Sequence, residues 1–369
     1  MLIAVDGNEA NVKEKVGVSI YTFNLLHYFK KKANNQLKFL ILLKENPKET
    51  MPKSNNFFRY EVVKGSFFWS QLFLPVHLLL KKDIDIFFSP AHYLPRFIKI
   101  PSVVTVHDLS YFYYPDDFLP SDLYKLKNWT KYSVNKAKKV IAVSKTTKKD
   151  LMKFYQLPDE KIEVIYNGYE KNLITQPPKN KNWIKDKNYI LYVGTLQPRK
   201  NITILIDAFY QFIKSYPEFK LIIAGKKGWL FETIFQKVEK LKLKNKIIFT
   251  HYVSDQKLVS LYQNAFCFVL PSFYEGFGIP ILEAMSFGCP VISSFASSLP
   301  EIGADACLYF DPKNSEDLYN KLILLKENQD LRNNLIAKGR KRVKFFSWEK
   351  CARETLEVIK SVSFYDKSH

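Results

Sequence analysis

The sequence predicts an α/β protein of two domains, each built on a parallel sheet. Three observations lead there. Short apolar runs alternate with longer segments that carry one polar face, along the whole chain, as βα units do. The 369 residues suffice for two separate cores. A polar stretch at 171–188, with Pro177-Pro178 and several Lys and Asn, divides the alternation into two similar halves. The domains are therefore placed at 1–170 and 189–345, with a linker at 171–188 and a separate terminal segment at 346–369.

In the first half, strands are expected at 2–6, 39–43, 84–88, 103–107, 140–143 and 162–165, where the apolar runs are nearly continuous. Helices fit 18–32, 70–82, 122–138 and 146–155. In the second half, strands fit 189–193, 220–224, 247–249, 265–270, 291–293 and 308–310. Helices fit 202–216, 231–243, 255–264, 280–287, 315–324 and 329–344. The tail at 347–359 has helical spacing behind Ser347, a good N-cap residue.

Composition narrows the class. Hydrophobic residues make up 47%, ordinary for a soluble globular chain. The best candidate span, 72–80, is too short for a bilayer and contains Pro75. The start, Met1-Leu-Ile-Ala-Val-Asp6, reaches an acid too soon for a signal peptide and reads as a buried strand. Cys267, Cys289, Cys307 and Cys351 lack metal or redox spacing, which suggests buried thiols in a reducing cytoplasm. The six histidines show no ligand pairing. The formal charge is +20, and only seven of the 56 basic residues are Arg. Two readings of this stay open: genomic base composition, or a surface for anionic lipid headgroups or polyanions. Lysine runs at 30–32, 81–82, 136–139 and 145–149 all lie in the first half. No helix-turn-helix, zinc-finger or RNA-recognition signature appears, so nucleic acid is not the expected partner.

Two turns carry the chemistry. Ser272-Phe-Tyr-Glu-Gly-Phe-Gly-Ile-Pro-Ile-Leu-Glu-Ala-Met285 reads as strand exit, glycine turn and helix start. It sets Glu275 and Glu283 eight residues apart around Gly276, Phe277 and Gly278, with Pro280 in the first helical turn. Free backbone N–H groups at such a helix start bind an anion or a ring of hydroxyls. The second turn, Tyr189-Ile-Leu-Tyr-Val-Gly-Thr-Leu-Gln-Pro-Arg-Lys-Asn-Ile202, puts Gly194 and the pair Arg199-Lys200 between a strand and a helix. A guanidinium fork beside a mobile ammonium suits a diphosphate.

These motifs resemble those of the retaining glycosyltransferases of family GT4. Glu275 and Glu283 match the family's Glu-x7-Glu. Gly194, Arg199, Lys200 and Asn201 match its donor loop. Glu14-Lys-Val-Gly-Val-Ser-Ile-Tyr21 matches its early glycine loop, with one glycine, Gly17, where the family commonly has two. Val103-Val-Thr-Val-His-Asp-Leu109 matches its first-lobe histidine, His107. The resemblance runs from about residue 2 to residue 350. It implies a GT-B fold, two Rossmann-like domains facing across a cleft, with a terminal helix crossing back to the first domain. The Val-His-Asp-Leu form resembles mannosyl- and rhamnosyltransferases of bacterial surface-polysaccharide assembly.

That resemblance sets the functional expectations. A hexose would move with retention from a nucleotide sugar, GDP-mannose first and a UDP-sugar next, to a glycan or lipid-linked glycan. His107, Glu275, Lys200 and Arg199 are the expected catalytic residues. Gly17, Gly194, Arg199, Lys200, Glu275, Gly276, Phe277, Gly278 and Glu283 are the expected donor-binding residues, with Glu283 on the ribose and Glu275 against the sugar. No metal or other cofactor is expected; Asp83-Ile-Asp85 reads as a strand boundary rather than an Asp-x-Asp metal motif. Gly17 is equally a plain loop glycine, and Asp108 either orients His107 or is solvated. The aromatic, acidic segment 111–120 either shapes an acceptor site, touches a membrane or packs as an ordinary loop. A cytoplasmic enzyme, peripheral on the inner face of the cell membrane, follows from a bilayer-borne acceptor. Two rival functions remain: a nucleotide-sugar 2-epimerase on the same fold, and a non-catalytic basic protein that binds glycans or anions.

Overall fold

Runs such as Phe39-Leu40-Ile41-Leu42-Leu43 are stable as strands only when both faces are covered, and the chain covers them in two parallel sheets. The computed structural model describes residues 1–15, 17–65, 67–170 and 188–365, with side chains through 362. Apart from residue 188, the expected linker lies outside the described residues, as does Val16 of the glycine loop. The chain divides into one unit of Met1–Gly168 with Ser347–His369 and another of Tyr169–Phe346, against expected domain ends at 170 and 345.

The first unit runs β1 (Leu2–Asp6), α1 (Val18–Lys32), β2 (Lys38–Leu43), β3 (Phe58–Val62), α2 (Phe73–Leu80), β4 (Ile86–Ser89), β5 (Ser102–Val106), α3 (Ser110–Tyr113), α4 (Pro120–Lys136), β6 (Lys139–Ala142), α5 (Lys145–Tyr155) and β7 (Ile162–Val164). Its described strands pair in parallel in the order β3-β2-β1-β4-β5-β6-β7. The second unit runs β8 (Tyr189–Val193), α6 (Ile202–Ser215), β9 (Lys220–Ala224), α7 (Glu232–Lys240), β10 (Ile247–His251), α8 (Asp255–Asn264), β11 (Cys267–Leu270), α9 (Ile279–Ser286), β12 (Val291–Ser294), α10 (Leu299–Gly303), β13 (Cys307–Phe310), α11 (Ser315–Glu327) and α12 (Gln329–Val343). Its order is β10-β9-β8-β11-β12-β13, again parallel. Each sheet therefore reverses direction once, between β1 and β4 in the first and between β8 and β11 in the second. Loops leaving the carboxyl ends of strands at such a reversal splay apart and leave room for a ligand.

The last helix, α13 (Trp348–Tyr365), belongs to the first unit. The Ser347 hydroxyl accepts from the Lys350 N–H at 3.1 Å, capping its start. Trp348, Cys351, Ala352, Leu356 and Ile359 recur at helical spacing and are buried beside Tyr21, Phe29 and Phe88.

The structure differs from the sequence reading in several places. β3 was not expected: Phe58-Arg-Tyr-Glu-Val62 alternates apolar and charged residues because it is an edge strand, half in solvent. β4 starts two residues later than expected, because Asp85 is occupied tying down β1; its Oδ2 accepts the Leu2 N–H at 2.7 Å. Asp83-Ile-Asp85 is thus a strand boundary. α2 is shorter than the expected 70–82, and α4 starts at Pro120, whose missing N–H costs nothing at a first helical position. The segment 111–120 starts within the short helix α3; Tyr111 and Phe112 pack into the core, while Tyr113 and Leu119 stay exposed. Tyr111 bonds Tyr155 at 2.9 Å, and Phe112 stacks on Phe154 at 4.2 Å. All four cysteines are buried thiols without a disulfide.

Candidate active site

In the second unit the two predicted turns lie side by side at the sheet reversal. Gly194 ends β8 at φ +155°, and a Cβ on the neighbouring Gly225 would meet its carbonyl oxygen at 1.9 Å. Only glycines allow these two backbones to lie so close. The chain then winds through a short 3-10 helix, Pro198–Lys200, which sets Arg199 and Lys200 against the Glu275 turn. Asn201 ends that turn in the left-handed conformation, at φ +53°. Its side-chain amide donates to the carbonyls of Pro271 (3.1 Å) and Pro312 (2.8 Å). The Phe273 N–H donates to the Arg199 carbonyl at 2.9 Å, so the two turns are stitched backbone to backbone.

Glu275 is the centre of this arrangement. Lys200 Nζ lies 2.6 Å from its Oε1, and Arg199 Nη1 lies 3.9 Å from its Oε2. Arg199 also donates to the Tyr274 carbonyl, and the Ser272 hydroxyl donates to Glu275 Oε1 at 2.7 Å. Burial alone raises the Glu275 pKa, but the charges of Lys200 and Arg199, with the bonds from Lys200 and Ser272, outweigh it. The net shift is downward, and the group is a carboxylate at neutral pH.

The turn that carries Glu275 is itself held from beneath. The Glu275 N–H donates to Ser297 Oγ at 2.8 Å. Ser298 Oγ lies 2.8 Å from the Glu275 carbonyl and 2.9 Å from the Phe277 carbonyl. Gly276 lies in the same turn, and the Phe277 ring is buried edge-on to Phe346. Gly278 precedes α9 at φ +108°, a conformation closed to most side chains. Glu283, one turn into α9, accepts from the Tyr262 hydroxyl at 2.9 Å. Burial raises its pKa, Tyr262 opposes the rise, and Asp255 adds to it. Arg199, Lys200, Glu275, Gly276, Phe277, Gly278, Glu283 and Gly194 thus all lie in this unit, on turns stitched to one another.

Gly17 and His107 belong to the other unit. Gly17 caps α1 at φ +48°, with open space where a Cβ would stand. His107 follows β5. Its Nε2 donates to the Pro90 carbonyl at 2.7 Å, and its ring meets Tyr21 edge-on at 4.9 Å. Burial, reinforced by His92, pushes its pKa down to about 4. His107 is therefore neutral at pH 7, with Nδ1 left as an acceptor. Asp108 accepts from the N–H and hydroxyl of Ser110, capping α3.

The sequence reading missed a cavity of about 710 Å3 at the reversal of the first sheet. Asp6 at the end of β1 and Glu9 beyond it line the cavity, with His92 and Tyr93 beyond β4 and Trp69 and Trp129 as further walls. Burial raises the Asp6 pKa to about 6, against two bonds from Asn8 to its Oδ1. His92 Nδ1 is buried and has no hydrogen-bond partner among the described residues. The supporting serines were also missed. The one signal for Ser297 and Ser298 is the run Ser293-Ser294-Phe-Ala-Ser297-Ser298, which ends β12 and continues past it. Among the described residues, no group of three or more His, Cys, Asp or Glu side chains could hold a metal ion, and no helix is long and apolar enough to cross a membrane.

Comparison with known proteins identifies the family and the fold. Residues 17–172 match the model of Glycosyltransferase Family 4, and residues 174–342 match that of Glycosyl transferases group 1. The chain is 34% identical to the O-antigen chain mannosyltransferase B of Escherichia coli, over 74% of each chain. It is 37% identical to the O-antigen chain mannosyltransferase RfbU of Salmonella typhimurium, over 58% of this chain and 57% of that one. The crystal structure of Anabaena HepE in complex with UDP and glucose superposes with a TM-score of 0.74 at 18% identity, over 98% of this chain and 99% of that one, and the shared fold is GT-B. The chain belongs to glycosyltransferase family 4 and is a glycosyl-transferring enzyme.

Proposed function

We propose that this enzyme transfers mannose from a nucleotide sugar, GDP-mannose first, with retention of anomeric configuration. The acceptor is a growing surface polysaccharide of the O-antigen kind or its lipid-linked precursor. The observation that carries the reading is the Glu275 carboxylate fixed against Lys200, with Arg199 beside it, in a turn at the sheet reversal. The choice of mannose is supported by the two O-antigen chain mannosyltransferases among the relatives.

The roles follow from the chemistry. Arg199 and Lys200 neutralise the charge that the leaving diphosphate gains as the glycosidic bond breaks. Backbone N–H groups of Gly276, Phe277 and Gly278 hold sugar hydroxyls at the start of α9. Glu283 accepts from the nucleotide ribose. Glu275, already committed to two cations, positions the sugar and stabilises the oxocarbenium-like centre rather than attacking it. The acceptor hydroxyl then enters on the face from which the diphosphate leaves, which gives retention. His107 offers a neutral acceptor atom to a substrate hydroxyl. With two cations for the diphosphate, transfer proceeds without a divalent ion. Because such an acceptor is bilayer-borne, the enzyme works at the cytoplasmic face of a membrane.

The test is incubation with GDP-mannose, UDP-glucose and UDP-N-acetylglucosamine, with and without a mannosylated acceptor, in the presence and absence of EDTA. Nucleotide release and the one-bond anomeric carbon–proton coupling of the new linkage are followed. An α-linked mannosyl product from α-linked GDP-mannose, insensitive to EDTA, is expected. Inversion overturns the mechanism, EDTA inhibition the metal independence, and turnover of UDP-sugars alone the donor. A 2-epimerised sugar nucleotide formed without acceptor replaces the reading by epimerisation.

A further inference from the structure

Helix α2, with the sequence Phe-Leu-Pro-Val-His-Leu-Leu-Leu, buries Leu74 and Leu78 in the core of the first unit. Its opposite face is also apolar. Leu72, Phe73, Val76, Leu79 and Leu80 recur at helical spacing and stay exposed, Val76 by 59% and Leu80 by 78%. A helix apolar on both faces is normally covered on both. Nothing among the described residues covers this one.

A second element extends the patch. Phe97 is 78% exposed, and it shares one hollow with Phe68, Leu72, Arg96 and Trp129. Phe68 and Phe97 hold φ angles of +55° and +57°, in the left-handed region that bulky residues avoid. Both backbones are locked there. The Phe68 carbonyl accepts from the Gln71 and Leu72 N–H groups, and the Phe97 N–H donates to the Tyr132 hydroxyl at 2.8 Å. Strain held in place by hydrogen bonds to keep two phenyl rings outward is a mark of use.

The rim is cationic. Arg96 lies over the Tyr132 ring at 4.7 Å, and Tyr132 shares the adjoining hollow with Lys131 and Lys136. Lys82 and Lys99 follow the apolar residues in sequence and are exposed. An apolar face rimmed by cations complements an anionic lipid surface, where side chains enter the acyl boundary and the lysines meet headgroups. A second copy of the chain fits less well, since a face-to-face pair sets like charges together. The patch also leads somewhere: Phe68 and Trp129 line both the outer hollow and the 710 Å3 cavity.

We propose that the exposed face of α2 together with Phe97 seats the enzyme on an anionic bilayer, and that the sugar end of a membrane-borne acceptor passes Phe68 and Trp129 into the cavity. The second half of this inference rests on the reading that the acceptor is lipid-linked. The first half does not need it.

Co-sedimentation with phosphatidylglycerol-containing vesicles, against pure phosphatidylcholine vesicles, tests the seat. Binding is expected to be at least about tenfold stronger to the anionic vesicles at low salt, and to weaken as salt screens the cations. The triple variant Val76→Glu, Leu79→Glu, Phe97→Glu is expected to lose about tenfold in vesicle binding while keeping wild-type nucleotide release from the donor in solution. A second variant, Arg96→Glu, Lys131→Glu, Lys136→Glu, touches no core residue and is expected to lose binding at low salt, so a folding defect in the first does not obscure the answer. The inference is overturned if wild-type protein ignores anionic vesicles, or if both variants bind them unchanged. It is equally overturned if light scattering shows a dimer that the apolar triple variant breaks while no vesicles are bound. Vesicle binding without any glycosyl transfer upholds the seat and removes the acceptor reading.

Discussion

Asp6 and Glu275 are both enclosed carboxyl groups at or beyond the carboxyl ends of strands that flank a sheet reversal, and their pKa values shift in opposite directions. The Glu275 pKa is lowered, because two cations and two donated hydrogen bonds outweigh its burial. The Asp6 pKa is raised from 3.8 to about 6, because burial outweighs the two bonds from Asn8 and the nearby Glu9 adds repulsion. The second unit thus carries its own countercharge and is organised before any ligand arrives. The first unit holds a carboxylate at neutral pH that its own residues do not compensate. A group in that state is matched by a ligand that donates hydrogen bonds, such as a sugar hydroxyl.

Removing the charge at each position separates the two cases. Glu275→Gln leaves Lys200 and Arg199 buried against a neutral amide, and breaking one side of a buried pair costs about 3–5 kcal/mol. A large fall in melting temperature at pH 7.5 is expected, together with a loss of transfer of about 10²-fold or more. The pH dependence has a definite sign. Since the folded pKa lies below the ordinary 4.5, the Glu275 contribution is present above that pH and lost as pH falls through the folded value. Wild type and variant therefore converge in stability in acid. Lys200→Met is expected to lower kcat/KM by about 10²–10³-fold while leaving Glu275 with Arg199. Equal activity in either variant breaks the comparison.

Asp6→Asn is expected to act in the opposite direction. The folded pKa lies above the unfolded one, so the carboxyl favours folding below pH 3.8, and that contribution is lost as pH rises through about 6. At pH 7.5 the neutral amide removes a cost of about 3 kcal/mol, and its oxygen still accepts from Asn8. Urea denaturation at pH 7.5 should show the variant more stable, and at pH 3.5 no more stable than wild type. If the acid serves the acceptor, the variant also raises acceptor KM while leaving donor KM alone.

The same contrast explains what was legible in the sequence. Arg199-Lys200 and Glu275 to Glu283 are short local motifs, each contained in one strand-to-helix connection and the helix start behind it, so they can be read along the chain. The buried parallel strands were legible for a similar reason, since a strand covered on both faces is a plain apolar run. β3 was not, because an edge strand loses that signature. Nor was the cavity of the first unit: Asp6, His92 and Trp129 come from a strand end, a loop and a helix far apart in the chain and share no periodicity. Ser272, Ser297 and Ser298 were invisible because a serine that props a turn looks like any other loop serine. The exposed face of α2 is not distinguished by the sequence, which gives only a helix over 70–82 and a span at 72–80 too short for a bilayer. An apolar residue carries no label saying whether it faces protein or something else.

Two smaller substitutions ask how far the Glu275 turn depends on its props. Gly278→Ala places a Cβ 2.8 Å from Leu299 Cδ2 at φ +108°, and a strained backbone of that kind costs about 1–3 kcal/mol. Because the strain falls between Glu275 and α9, donor KM should rise more than the melting temperature falls. Ser298→Ala is milder, removing a single hydroxyl from the carbonyls of Glu275 and Phe277, at about 1 kcal/mol. Ser297 still accepts the Glu275 N–H, and Lys200 still holds the carboxylate, so the turn keeps its place and kcat changes little. Ser297→Ala added to Ser298→Ala removes both props. Should the pair cost more in donor affinity than the sum of the single changes, the serines act as one support. Should the costs simply add, each serine supports the turn independently; should neither change cost donor affinity, the ion pair alone sets the turn, and the comparison with Asp6 reduces to countercharge.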